Sequence, residues 1–78
     1  MAKLPRASSD QLCKVAEHLG FSPTVKRGSH KKYKHPDGRR TTITLGKKEL
    51  PIGTLRKIVR SEFQISREEF IEILELIR

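Results

Sequence analysis

The residues best suited to chemistry lie in one short stretch, Arg27–Tyr33, which reads Arg-Gly-Ser-His-Lys-Lys-Tyr. A histidine can take or give a proton near neutral pH, because the unperturbed pKa of an imidazole is about 6.5. Gly28, two residues before His30, permits backbone angles that other residues avoid and leaves room for a ligand. A histidine beside a hydroxyl and several cations suits a polyanion on which chemistry occurs at one phosphodiester. We therefore predict that the rest of the chain positions His30 against RNA.

The distribution of charge favours the same kind of partner. The 78 residues carry 17 Lys and Arg against 9 Asp and Glu, a formal net charge of +8. Residues 26–60 hold twelve basic and two acidic side chains, whereas residues 61–78 hold two basic and five acidic ones. This concentration favours a phosphate backbone or an acidic partner protein. The alternative is a solvated basic surface that keeps a small protein in solution.

Length and composition predict a single small domain over residues 1–78. A chain of this size buries roughly 60% of the surface that its unfolded form exposes, so the core should be thin. The sequence has no run of about 18 apolar residues that would predict a transmembrane helix. It also lacks the apolar region of a secretory signal, and its one cysteine, Cys13, cannot form an internal disulfide. We therefore expect a cytoplasmic protein, in a reducing compartment and without a membrane partner.

The apolar pattern predicts an α+β chain in the order α-β-β-β-α-α. A first helix is expected over residues 9–19, capped by one of two adjacent serines and followed by a glycine. Strands are expected over residues 21–26, 30–35 and 39–45, and a Pro-Asp-Gly turn should join the last two in an antiparallel hairpin. Two further helices follow, the last of them capped by Ser66.

Alternation along the strands divides their side chains between two faces. Tyr33 and Ile43 share the face that the helices should cover. His30, Lys32 and Lys34 should project together from the other face. This parity favours core packing for Tyr33 over stacking on bases, which is the role of aromatic residues in many single-strand binders.

Motifs along nearly the whole chain, in order and at matching spacings, resemble those of one known family. They are Lys3-Leu4-Pro5-Arg6, Leu19-Gly20-Phe21, Arg27-Gly28-Ser29-His30, His35-Pro36-Asp37-Gly38-Arg39, Lys48-Glu49-Leu50, Gly53-Thr54-Leu55-Arg56-Lys57-Ile58 and Ile65-Ser66-Arg67-Glu68-Glu69-Phe70. This set resembles the HicA toxins, which are small mRNA interferases of type II toxin–antitoxin pairs. The resemblance implies a double-stranded-RNA-binding-like fold, with a three-stranded antiparallel sheet and helices on one face. It also implies a histidine needed for RNA cleavage, which falls on His30, and a HicB antitoxin that covers it.

Two positions depart from the pattern of the HicA toxins. Many members carry a second histidine in the loop after the third strand, where this chain reads Leu45-Gly46-Lys47. A reaction that needs the second imidazole is therefore not implied. Members also often have glycine where this chain has Gln64, a difference that bears on a helix cap more than on chemistry.

The first functional hypothesis is cleavage of mRNA without a metal ion or other cofactor. His30 acts as general acid or base on a ribose 2′-hydroxyl that attacks the adjacent phosphorus, a kind of help worth about 10²- to 10⁴-fold in rate. The expected products carry a 2′,3′-cyclic phosphate and a 5′-hydroxyl. No metal site is predicted, because the histidines have no carboxylate at ligand spacing. The residues expected to bind RNA are Arg27, Gly28, Ser29, Lys32, Lys34, Arg39, Lys47 and Lys48.

Two other hypotheses remain open at this point. A non-catalytic RNA-binding module of the same topology would contact phosphates and 2′-hydroxyls and would bind RNA without cutting it. A DNA-binding or purely interacting protein would use the basic face to dock nucleic acid or an acidic antitoxin. Preference for RNA over single-stranded DNA separates the third reading from the first two. We expect the free chain to be a monomer.

Overall fold

The computed structural model describes residues 4–77, and in that range it contains three α-helices and a three-stranded antiparallel sheet. The elements are α1 (Ser9–His18), β1 (Ser22–Arg27), β2 (His30–Lys34), β3 (Arg40–Thr44), α2 (Ile52–Lys57), a π-helical turn (Ile58–Glu62) that continues α2, and α3 (Arg67–Ile77). The predicted α+β, double-stranded-RNA-binding-like order is confirmed, with ends shifted by one or two residues. Lys3, the first residue of the resembling motifs, lies outside the described range.

The start of α1 is fixed by two adjacent serines with different roles. Ser8 is the N-cap: its hydroxyl accepts from the N–H of Gln11, and the Gln11 side chain accepts from the N–H of Ser8. Ser9 is buried, and its hydroxyl donates to the carbonyl of Thr44 and accepts from the N–H of Lys47. Ser9 therefore links α1 to the loop after β3 through hydrogen bonds.

The sheet has the order β1-β2-β3, so β2 is central and Pro23 lies on an edge strand, where a missing N–H is tolerated. Tyr33 on β2 pairs with Thr41, and both are buried together with Ile43, which confirms the predicted parity. Lys31 shares this covered face, but it is only half-buried, and its ammonium lies 5.3 Å from the centroid of the Tyr33 ring. The ammonium of Lys31 therefore makes a cation–π contact with the Tyr33 ring.

The core between the sheet and the helices contains every aromatic side chain of the protein. The sequence has three Phe, one Tyr and no Trp. None of the four aromatic residues is more than 3% exposed; they are Phe21, Tyr33, Phe63 and Phe70. The prediction that Tyr33 packs in the core is confirmed. Within residues 4–77, no helix is both long and apolar enough to cross a membrane.

The second helix ends in a turn that the sequence pattern does not reveal. The π-helical turn closes with the N–H of Phe63 donating to the carbonyl of Ile58 at 2.7 Å. The chain then passes through Gln64 with a φ of 58°, and Gln64 is the one non-glycine residue in the range 4–77 with positive φ. The glycine that HicA toxins often have here suits this conformation, because glycine lacks the Cβ that makes it unfavourable.

We expect Gln64→Gly to raise the free energy of unfolding by about 1 kcal/mol, because it relieves a left-handed backbone angle. For a domain of this size, that corresponds to a rise of roughly 4–8 °C in Tm. Gln64→Ala keeps the Cβ and should give no gain, so it is the matched control. Thermal unfolding of the three proteins measures the effect, and equal Tm values for the two variants would contradict it.

Candidate nucleic-acid interface

The face of the sheet turned away from the helices is called the open face here. Its side chains come from Ser22, Val25, Arg27, His30, Lys32, Lys34, Arg40, Thr42 and Thr44. The register sets His30 between Arg27 and Thr44 at one end of the sheet. His30, Lys32 and Lys34 are all exposed, as the strand parity predicts. These open-face positions include four Lys or Arg and no Asp or Glu.

A two-residue turn places His30 at the start of β2. Gly28 and Ser29 join the paired residues Arg27 and His30, and Gly28 has a φ of 56° whereas Ser29 does not have a positive φ. Positive φ at the first central position alone is the mark of a type II′ hairpin turn, for which glycine is preferred. A Cβ built on Gly28 would meet no atom within 4 Å, so the backbone angle and not crowding requires the glycine. The same empty space leaves room for a ligand beside Gly28.

Two loops meet at the His30 end of the sheet. The N–H of Leu45 donates to the carbonyl of Ser29 at 2.6 Å, which ties the loop after β3 to the Gly28-Ser29 turn. Lys47 in that loop accepts a further backbone bond from Ser9 at 2.9 Å. Five of the nine predicted site residues therefore lie at this end of the sheet, namely Arg27, Gly28, Ser29, His30 and Lys32. Lys47 and Lys48 lie in the loop that Leu45 ties to the turn. Lys34 lies farther along the open face.

Arg39 is the predicted RNA-binding residue that the structure does not bring to the open face. Its guanidinium donates to the carboxylate of Asp37 at 2.8 Å and to the carbonyl of Phe63, and lies 5.3 Å from the centroid of the Phe21 ring. Its side chain is only 19% exposed. The neighbouring Arg40 is the residue on the open face, opposite Lys34. The alternation that places Thr42 and Thr44 on this face also predicts Arg40, so the signal was present in the sequence.

The motif His35-Pro36-Asp37-Gly38-Arg39 has a structural role, because its side chains join the β2–β3 hairpin to neighbouring parts of the chain. The ring Nε2 of His35 donates to the carbonyl of Leu19 at 2.9 Å, which joins the hairpin to the end of α1. The backbone N–H of Arg39, and then its guanidinium, hold the pKa of Asp37 below its usual range. His35 faces the covered side, where its ring contacts Phe21 edge-on. Within the described chain, the open face therefore carries one imidazole, that of His30.

We expect Arg39→Gln to lower the free energy of unfolding by about 2 kcal/mol, because it removes charged hydrogen bonds at a mostly buried position. RNA affinity of the folded protein should not change. Arg40→Gln is the matched control and should do the reverse, weakening RNA binding with little loss of stability. Denaturant unfolding and RNA binding of both variants test this assignment, and weakened RNA binding by folded Arg39→Gln would contradict it.

The chain matches the family model described as the HicA toxin of bacterial toxin–antitoxin systems, over residues 9–62. The chain belongs to the HicA toxin family. The match spans α1, the whole sheet with the Gly28-Ser29 turn and His30, and the helix that ends in the π-helical turn. A comparison with curated protein sequences finds no match. As a HicA family member, the protein is the toxin of a toxin–antitoxin system and has an antitoxin as its partner.

Within residues 4–77 of this HicA family member, no three His, Cys, Asp or Glu side chains lie close enough together to hold a metal ion. Cys13, which is free and half-buried, lies on the covered side near Glu17 and Lys31. The groups available to a ligand on the open face are thus ammonium, guanidinium, hydroxyl and one imidazole. Such groups bind phosphates and transfer protons.

Proposed function

We propose that this HicA toxin is an endoribonuclease that cleaves mRNA without a metal ion, with His30 as its general acid and base. The observation that carries the proposal is the placement of His30. It is the one imidazole that the described chain presents on the open face, it is exposed, and it follows a turn in which a Cβ on Gly28 would meet no atom within 4 Å. The surrounding cations attract the phosphate backbone on which it would act.

The chemistry follows from the groups at this end of the sheet. His30 takes the proton of a ribose 2′-hydroxyl, and the resulting oxyanion attacks the adjacent phosphorus. The bond to the 5′-oxygen of the next nucleotide breaks, and that oxygen takes the proton that His30 had accepted, which leaves a 2′,3′-cyclic phosphate and a 5′-hydroxyl and returns His30 to its neutral form. Lys32, which has the same strand parity as His30, and backbone N–H groups of the glycine turn stabilise the negative charge that develops on the phosphoryl oxygens.

The same face supports a proposal for the antitoxin. A HicB-like protein that covers the open face would bury His30 and meet Arg27, Lys32 and Lys34, so we propose that its contacting surface is acidic. Inhibition then needs no rearrangement of the toxin, because RNA and antitoxin compete for one surface. This arrangement resembles other interfaces in which charge complementarity speeds association and selects the partner.

The test uses a long RNA of mixed structure, incubated with the protein in excess EDTA, beside single-stranded DNA of the same sequence. We expect RNA to be cut and DNA to remain intact, because DNA lacks the attacking 2′-hydroxyl. Failure to cut RNA, with RNA binding that weakens as salt is raised, would favour the non-catalytic RNA-binding module instead. Equal binding of RNA and DNA without cleavage would favour a general docking role.

A further inference from the structure

The open face continues beyond the catalytic end as a row of cations, Lys32, Lys34 and Arg40, which we call the cation track. Lys34 and Arg40 are cross-strand partners, directly opposite each other on β2 and β3. All three side chains are exposed. The ion pairs Arg6–Glu49, His35–Asp37, Arg39–Asp37 and Arg67–Glu68 do not involve these three cations. The carboxylate of Glu62 lies at the outer edge of β3, where it accepts from the hydroxyl of Thr41 and the N–H of Thr42.

The residues around the track include no exposed Phe or Tyr ring on which a base could stack. Bases stack on exposed aromatic rings and also on Arg guanidinium planes. Every Phe and Tyr ring of this protein is buried, none more than 3% exposed, so stacking in the track is limited to Arg40. The track is instead accompanied by the hydroxyl of exposed Thr42, which faces Lys32 across the sheet. Cations and hydroxyls of this kind bond phosphate oxygens and 2′-hydroxyls.

The position of the track relative to His30 gives a length for the RNA that it can hold. His30 and Lys34 are four residues apart on one strand, which corresponds to about 13 Å. A nucleic-acid strand that advances 3.4 Å per nucleotide covers that distance in about four nucleotides, and a stretched strand covers it in fewer.

We propose that Lys32, Lys34 and Arg40 hold the phosphates of the RNA strand on one side of the scissile bond. The substrate is then an RNA that extends up to about four nucleotides to that side of the cleaved bond and is held by its backbone, with weak dependence on base identity. This inference rests on the proposed ribonuclease function for the location of the scissile bond. The contact between track and backbone is tested separately from cleavage.

The first arm measures binding, with all proteins carrying His30→Ala so that the RNA stays intact. A single-stranded RNA of twelve nucleotides is titrated at several salt concentrations. We expect Lys34→Gln with Arg40→Gln to weaken binding about tenfold and to reduce the slope of log K against log salt by about 1.4, since each lost phosphate contact on a single strand removes about 0.7. The charge-preserving pair Lys34→Arg with Arg40→Lys should bind like the parent.

The matched control is Arg56→Gln with Lys57→Gln, which removes the same charge from exposed positions on α2. The control should change the binding constant and the salt slope less than the track variant does. If both pairs of substitutions weaken binding equally, the effect is one of net charge and the track does not exist. Circular dichroism of each variant confirms that it is folded.

The second arm measures cleavage of an RNA with one cut site, shortened to two nucleotides on either its 5′ or its 3′ side. We expect shortening on one side to raise KM about tenfold for the wild type and not for the variant Lys34→Gln with Arg40→Gln. Equal effects of shortening in the two proteins would overturn the proposal. If the wild type cuts no RNA at all, the proposed function fails, and the binding arm alone decides whether the track holds RNA.

Discussion

Replacement of His30 by alanine is expected to lower kcat/KM for RNA cleavage by about 10²- to 10⁴-fold, the range that general acid–base catalysis contributes. The expectation rests on the open face, where the described chain offers no second imidazole that could take over proton transfer. The affinity for RNA should change little, because the cations of the face remain. Cleavage rates under single-turnover conditions, beside RNA binding of the same protein, separate the two effects.

The matched control for this variant is His18→Ala. His18 is exposed in the last turn of α1, outside the open face, so its loss removes an imidazole without touching the site. Its cleavage rate should equal that of the wild type. Wild-type cleavage by His30→Ala, or an equal loss in both variants, would refute the role assigned to His30.

Replacement of Tyr33 by alanine is expected to lower the free energy of unfolding by about 3–5 kcal/mol, the usual loss for a buried aromatic residue. Tyr33 is only 1% exposed and lies on the central strand between Lys32 and Lys34. Small domains have total stabilities at the low end of about 5–15 kcal/mol, so much of this variant should be unfolded at 37 °C. Urea unfolding followed by circular dichroism measures the loss.

The conservative variant Tyr33→Phe distinguishes packing from chemistry. It keeps the ring and removes the hydrogen bond that the phenol donates to Glu17 at 3.2 Å, a loss of about 1 kcal/mol. RNA binding and cleavage by Tyr33→Phe should be unchanged, because the ring lies under the sheet. Reduced RNA binding by this folded variant would show that Tyr33 contacts RNA after all.

The same pair of proteins gives a test at alkaline pH. Burial, followed by the neighbouring Cys13 and Glu17, raises the pKa of the Tyr33 phenol well above its usual value. In the unfolded chain this phenol loses its proton near pH 10, at about the model value. The wild type should therefore lose stability as pH rises above about 10, because only the unfolded state releases the proton. Tyr33→Phe should show a shallower loss, and parallel curves would contradict this.

The open-face residues of β2 were predictable because side chains alternate along a regular strand, whereas a register shift between Pro23 and Val25 breaks this alternation on β1. A period of two assigns His30, Lys32 and Lys34 to one face and Tyr33 to the other without any knowledge of tertiary contacts. The glycine turn before His30 was predictable for a related reason, since few residues tolerate positive φ. Rules that depend only on the local sequence were therefore enough to predict the turn before His30 and the face on which His30 lies.

The features that sequence reasoning missed depend on contacts between distant parts of the chain. Arg39 looks like a surface cation, and only the folded chain shows its guanidinium held by Asp37 and the carbonyl of Phe63. The π-helical turn gives no sign in the apolar pattern, because Ile58 and Val59 fit an ordinary helical stripe equally well. The buried bond of Ser9 to the loop after β3 is likewise invisible, since two adjacent serines can both cap a helix.

The chemical nature of the RNA ends tests the central claim most directly. The measurement digests an RNA with one cut site in excess EDTA, and a second copy with a single 2′-deoxy sugar at the cut nucleotide. The mechanism predicts a 2′,3′-cyclic phosphate and a 5′-hydroxyl from the first RNA and no cleavage of the second. Fragments with 3′-hydroxyl and 5′-phosphate ends, or cleavage of the deoxy-substituted RNA, would contradict the account, because neither outcome uses the 2′-hydroxyl that His30 is proposed to activate.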